Sequence, residues 1–198
     1  IDGSHTKDMD DAISIKVNAD GNFILGVHIA DVNYYVKAGS ALDMEARTRG
    51  TSAYLADSVI PMLPHSLSNG ICSLNEGVDR LTKTVEIEID ENGNVLNHKI
   101  YDSIIRSKKK MTYEEVNELL SKGIMPEGYE PFENDLLIMY LLSEILNRKR
   151  KERGNIEFSS DEISVIEDGK DTLFKPNRQD IAEKIIENFM ILANETIT

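Results

Sequence analysis

Three short dipeptides limit the fold more than any other feature of this sequence. Asp20-Gly21 and Asn92-Gly93 each join two segments of alternating apolar residues, and Asp168-Gly169 sits in a third such setting. Asp-Gly and Asn-Gly supply the left-handed backbone of tight hairpin turns, and a period of two turns one strand face toward a core. Ile13, Ile15 and Val17 share a face before the first turn, and Phe23 to Val32 returns. Val85, Ile87 and Ile89 precede the second turn, Val95 to Ile105 follows it, and Ile163 to Phe174 spans the third. Adjacent hairpins predict a mainly antiparallel sheet.

Helices are signalled between and after these hairpins. Ser40 with Asp43 and Thr112 with Glu115 resemble capping boxes, and the helices they open end at Gly50 and Gly123. Residues 134–152 carry Leu137, Tyr140, Leu141 and Ile145 at helical spacing, and Ile181, Ile185, Phe189 and Leu192 define an amphipathic helix. The predicted class is α+β, a mainly antiparallel mixed sheet with flanking helices. Residues 51–80, with Pro61, Pro64 and Gly70, read as a long ordered loop, which is uncommon without a function. The sequence starts at Ile1 and stops inside a helical pattern, which reads as a piece of something longer.

No stretch approaches the roughly 20 apolar residues of a membrane-spanning helix. Cys72 is the one cysteine, so no intrachain disulfide forms, and a cytoplasmic protein is expected. The net charge of −13 argues against a generally basic nucleic-acid surface. Two basic runs, Arg106 to Lys110 and Arg148 to Arg153, read first as solvated surface or helix ends.

The acid is not evenly spread. Asp2, Asp8, Asp10 and Asp11 fall just before the first strand. Carboxylates this dense repel one another if they converge, and a cation relieves that repulsion. Their hard oxygens suit Mg²⁺ or Mn²⁺, and such a group can hold two ions of the kind that clamp a phosphodiester during cleavage. A solvated acidic turn is the simpler alternative. A calcium loop fails, because counting from Asp8 the glycine position holds Ile13 and the bidentate glutamate position holds Ala19. Asp8-Met9-Asp10 also matches the short acidic motif of nucleotide-sugar glycosyltransferases, an alternative that explains nothing else in the chain. His5, His28, His65 and His98 are scattered and read as surface or satisfied core residues.

Several segments together resemble the RNB family, the catalytic domain of ribonucleases II and R. Ile1-Asp2-Gly3 with Asp8-Met9-Asp10-Asp11-Ala12 is similar to its metal-binding segment, and Gly26 to Val32 to the strand that follows. Arg49 to Leu55, Ile60 to Pro64, Leu67 to Leu74, Asp79 to Thr82, Ser107-Lys108, Met111 to Tyr113 and Asn188 to Asn194 continue the likeness, with wording nearer ribonuclease R. The resemblance implies Mg²⁺-dependent hydrolysis of single-stranded RNA from its 3′ end to nucleoside 5′-monophosphates. It places Asp2, Asp8, Asp10 and Asp11 as the site aspartates, with Asp10 the most important for catalysis. It also implies that Tyr54 and Phe158 stack on bases and that Tyr113 and Glu187 lie around the terminal ribose. Residues 1–198 then form the N-terminal part of the catalytic domain, lacking the family's cold-shock-type barrels, C-terminal RNA-binding barrel and later catalytic arginine. A weak or inactive fragment of a monomeric parent is expected, and a non-catalytic RNA-binding member of the family is the alternative.

Overall fold

The computed structural model describes residues 1–55, 58–155 and 180–198, together with the backbone of strands Glu162–Asp168 and Asp171–Asn177. The first half carries β1 (Asp11–Val17), β2 (Phe23–Ala30), α1 (Val32–Tyr35), α2 (Ala41–Arg49), β3 (Ala53–Tyr54) and β4 (Val59–Ile60). Then come β5 (Asp79–Ile89), β6 (Val95–Arg106), α3 (Tyr113–Lys122), α4 (Glu133–Glu152), β7 (Glu162–Asp168), β8 (Asp171–Asn177) and α5 (Ile181–Ile197).

The hairpins form as the turn signals predict, with Gly21 and Gly93 at φ of 85° and 78°. β1, β2, β5 and β6 make one antiparallel sheet in that order, and β7 pairs antiparallel with β8. The first return strand stops at Ala30, two residues short of the predicted Val32, because Asp31 caps α1. Register sets Ile13 against Val27 and Val27 against Val85, so the alternating apolar residues share a face. Leu25, Val27, Val85, Ile87 and Ile89 are buried there with Val116, Leu142, Ile185 and Phe189 of α3, α4 and α5. Burying each such side chain contributes about 1.5–3 kcal/mol.

The opposite face carries a polar seam across all four strands. Ser14 Oγ meets His28 Nε2 at 3.0 Å, His28 Nδ1 meets Thr84 Oγ1 at 2.8 Å, and Ser103 Oγ bonds both Thr84 and Thr82. His28 is thus a satisfied histidine, and burial pushes its pKa down. Gly26 makes room for the seam, since a Cβ there would lie 2.4 Å from Ser14 Oγ.

The N-cap half of both predicted capping boxes forms: Ser40 and Thr112 accept from the backbone N–H groups of Asp43 and Glu115. Asp43 itself accepts from Gly39 N–H, and Thr112 N–H donates to Tyr129. Gly50 and Gly123 take left-handed conformations. α4 keeps only part of its predicted face, with Ile145 buried and Tyr140 packed against the core. Leu137 and Leu141 are 51% and 53% exposed, while Leu136, Met139, Leu142, Ile145 and Leu146 are buried. The run Leu136 to Leu142 is apolar throughout, so the sequence gives no phase and packing against the sheet and α5 decides it. Residues 51–80 are less irregular than expected: they contain β3, β4, a helical turn at Ser66–Ile71 and the start of β5. Among the described residues, no helix is long and apolar enough to cross a membrane.

Candidate active site

The segment 1–10 has little regular structure of its own and is held by neighbours on three sides. Asp2 pairs with Thr112: its N–H donates to Met111 O at 3.0 Å, and its carbonyl accepts from Tyr113 N–H at 3.0 Å. Ala30 N–H donates to Asp10 O at 2.8 Å, and Leu74 N–H to Met9 O at 2.9 Å. The aspartates therefore sit where β1 begins, between β2, α3 and the segment that precedes β5.

The carboxylates differ in environment. Asp2 Oδ1 accepts from Gly3 N–H at 2.7 Å and from Thr6 Oγ1 at 2.9 Å. Asp8 Oδ2 accepts from the Tyr54 hydroxyl at 3.0 Å. Burial raises the Asp10 carboxyl above the ordinary carboxylate range, and Asp8, Asp11 and Asp2 push it further. Asp11 is raised as well, first by burial and with a contribution from Asp2. Its Oδ2 is the one buried side-chain polar atom without a hydrogen-bond partner among the described residues.

The four aspartates converge electrostatically, but among the described residues no three acidic, histidine or cysteine side chains stand close enough to hold a metal ion. The donor set nevertheless fits a hard divalent cation: an unpartnered buried carboxylate oxygen and a mutually repelling neighbour are what such an ion would satisfy. Asp2 and Asp11 line a cavity of about 370 Å³, walled by Ile13, Leu136 and Met139, with Lys108 beside it.

Tyr113 stands against this group at the start of α3. Burial, then Asp2, Asp11 and Glu183, push its hydroxyl up to about 12, so it stays protonated at neutral pH. Tyr54 is 66% exposed, and its hydroxyl ties it to the site through Asp8.

The model of the RNB domain matches residues 1–198. The chain belongs to the RNB family. Ribonuclease R of Thermotoga maritima is 55% identical over 200 residues, covering 100% of this chain and 28% of that protein. Ribonuclease R of Mycoplasma genitalium, solved in complex with ribose-methylated single-stranded RNA, superposes with a TM-score of 0.92. That match has 37% identity and covers 99% of this RNB chain and 31% of the other. Yeast Ssd1, described as a pseudonuclease, superposes at 0.72 with 20% identity over 95% of this chain and 23% of its own, a likeness of fold alone.

Within the RNB fold, the four aspartates, Tyr54 and Tyr113 come together. Glu187, on α5, lies 3.8 Å from the Arg150 guanidinium. Phe158 lies outside the described residues. The basic run at the end of α4 is engaged in structure. Lys149 donates to Gly93 O at 2.8 Å, Arg150 to Asn188 Oδ1 at 2.7 Å, and Arg153 to Glu195 at 3.4 Å.

Thr6 and Ser73 hold the acidic segment, and neither was named as a site residue from the sequence. Ser73 bonds the backbone at Lys7 and Met9, and its sequence signals were membership of the long segment 51–80 and of the family-like run Leu67 to Leu74.

Proposed function

We propose that this chain is the N-terminal part of the catalytic domain of a Mg²⁺-dependent 3′→5′ exoribonuclease acting on single-stranded RNA. The observation that carries the reading is the Asp10 carboxyl, crowded by Asp8, Asp11 and Asp2 beside the unpartnered Asp11 oxygen. The ribonuclease R names of its relatives support RNA as the substrate class. Asp2, Asp8, Asp10 and Asp11 would hold the ion. When bound, Mg²⁺ supplies an activated water and neutralises charge developing on the phosphate.

The remaining groups bind and orient. The exposed Tyr54 ring can stack on a base, a contact worth about 1–3 kcal/mol that tolerates any sequence. Its hydroxyl steadies Asp8. The Tyr113 hydroxyl, protonated at working pH, can hydrogen-bond a ribose 2′-hydroxyl and so favour RNA over DNA. Glu187 as a second ribose contact and Phe158 as a second stacking ring rest on the family resemblance. A cytoplasmic, monomeric parent releasing nucleoside 5′-monophosphates completes the reading.

The nucleotide-sugar alternative is set aside, because the family match accounts for the whole chain and not only Asp8-Met9-Asp10. A non-catalytic RNA-binding role keeps its place as the second reading, since among the described residues no three acidic side chains stand close enough to hold a metal ion.

The test uses a 5′-labelled single-stranded RNA incubated with Mg²⁺ or EDTA. It compares this chain, a C-terminally extended version, and Asp10→Asn in each. Mg²⁺-dependent shortening from the 3′ end, stronger in the extended chain and lost in Asp10→Asn, is expected. RNA binding without shortening in both chains would replace the enzyme with the binding module.

A further inference from the structure

Between Lys7 and Asp10 the acidic segment has no strand or helix to shape it, and one side chain takes that place. Ser73 is fully buried. Its hydroxyl donates to Lys7 O at 2.9 Å and accepts from Met9 N–H at 3.1 Å, so its two bonds flank Asp8. The next residue continues the contact, with Leu74 N–H on Met9 O at 2.9 Å, immediately before Asp10.

Ser73 is itself anchored. Arg80 Nε donates to Ser73 O at 2.8 Å, and Nη2 of the same guanidinium reaches Gly70 O at 3.2 Å. Arg80 belongs to β5, an interior strand of the sheet. A continuous set of bonds therefore runs from the sheet, through Arg80 and Ser73, to the peptide groups on both sides of Asp8.

We propose that Ser73, seated by Arg80, is a positioning residue that fixes the spacing of Asp8 and Asp10 for a divalent cation. The proposal rests on reading the aspartates as a metal site. The chemistry explains the residue type: the position needs a donor and an acceptor on one small atom, and a buried site offers no water to replace it. Alanine supplies neither function, whereas threonine keeps the hydroxyl.

The experiment is a Mn²⁺ titration of the chain, following the electron paramagnetic resonance signal of free Mn²⁺. Wild type, Ser73→Ala, Ser73→Thr, Arg80→Lys and Ser143→Ala are compared, with a thermal melt of each in EDTA. Ser143 is a matched control, 2% exposed and hydrogen-bonded to Asn188 at 2.9 Å between α4 and α5. Ser73→Ala is expected to weaken Mn²⁺ binding by about ten-fold or more, as loss of a group supporting a ligand does. Arg80→Lys should move in the same direction and Ser73→Thr should recover most of the affinity. Ser143→Ala should lower the melting temperature without changing affinity.

Unchanged affinity in Ser73→Ala, or equal loss in Ser143→Ala, would overturn the positioning role while leaving the metal site standing. Should Ser73→Ala fail to fold, unchanged affinity in Arg80→Lys overturns it instead. Absence of Mn²⁺ binding by wild type overturns the metal reading and this proposal with it, a result distinct from the others.

Discussion

Asp11 carries a buried carboxylate oxygen without a hydrogen-bond partner among the described residues, and burial raises its pKa in the folded chain. A carboxyl raised above its unfolded value weakens the fold when charged. The penalty is complete above the folded pKa and disappears below the ordinary value of 3.8. In EDTA at pH 7, Asp11→Asn is therefore expected to melt at a higher temperature than wild type. The gain should shrink as pH falls toward the ordinary carboxylate value, and saturating Mg²⁺ should reverse the order of the two proteins. Melts across that range with and without Mg²⁺ check this; a pH-independent gain would mean that charge is not its cause. Gly26 gives a second residue-level prediction. A Cβ there would sit 2.4 Å from Ser14 Oγ and 2.9 Å from His28 Nε2, forcing that hydrogen bond apart. Gly26→Ala should cost about 1–2 kcal/mol in urea unfolding, and adding Ser14→Ala should recover part of it.

At the scale of elements, α3 is joined to the acidic segment through its first turn, and Tyr129 braces that joint. The Tyr129 hydroxyl accepts from Thr112 N–H at 3.0 Å and donates to Glu115 at 2.6 Å. Thr112 is also the residue that Asp2 pairs with. The Tyr129 bond, then that of Thr112, lowers the Glu115 pKa below its ordinary 4.5. A depressed carboxyl contributes stability above the unfolded value and loses it as pH falls through the folded one. Tyr129→Phe should cost about 1–3 kcal/mol at pH 7, with the gap from wild type narrowing below pH 4.5. Urea unfolding at pH 7 and pH 4 checks the sign; a gap that widens in acid would refute it. Caps and hairpin turns were legible in the sequence because their chemistry is local, as at Ser40, Thr112, Gly50 and Gly93. The face of α4 was not, because every position from Leu136 to Leu142 is apolar and only distant partners choose among them. Leu142→Ala should therefore cost about 2–5 kcal/mol, the toll of a core cavity, and Leu141→Ala less than about 1 kcal/mol.

Over the whole molecule, a site assembled from distant segments was legible only where its members are neighbours in sequence. Asp8, Asp10 and Asp11 announce themselves by density, whereas Tyr54 and Tyr113 were placed by family resemblance alone. Ser73 meets Met9 across 64 residues, and no periodicity encodes such a contact. The net charge of −13 acts in the same direction, since neighbouring aspartates add to the burial that raises Asp10 and Asp11. Metal binding should therefore register as stability of the whole chain. An ion at about 100 times its dissociation constant adds about 2.7 kcal/mol. For a chain of this size that corresponds to a rise in melting temperature of about 5–10 °C. Salt also screens a chain of this charge, so the comparison is Mg²⁺ against NaCl at equal ionic strength. A rise with Mg²⁺ beyond that with NaCl in wild type, absent in Asp10→Asn, places the stabilisation at the aspartates. Equal rises with both salts, unchanged by Asp10→Asn, would reduce the effect to screening and leave the cluster a solvated acidic turn.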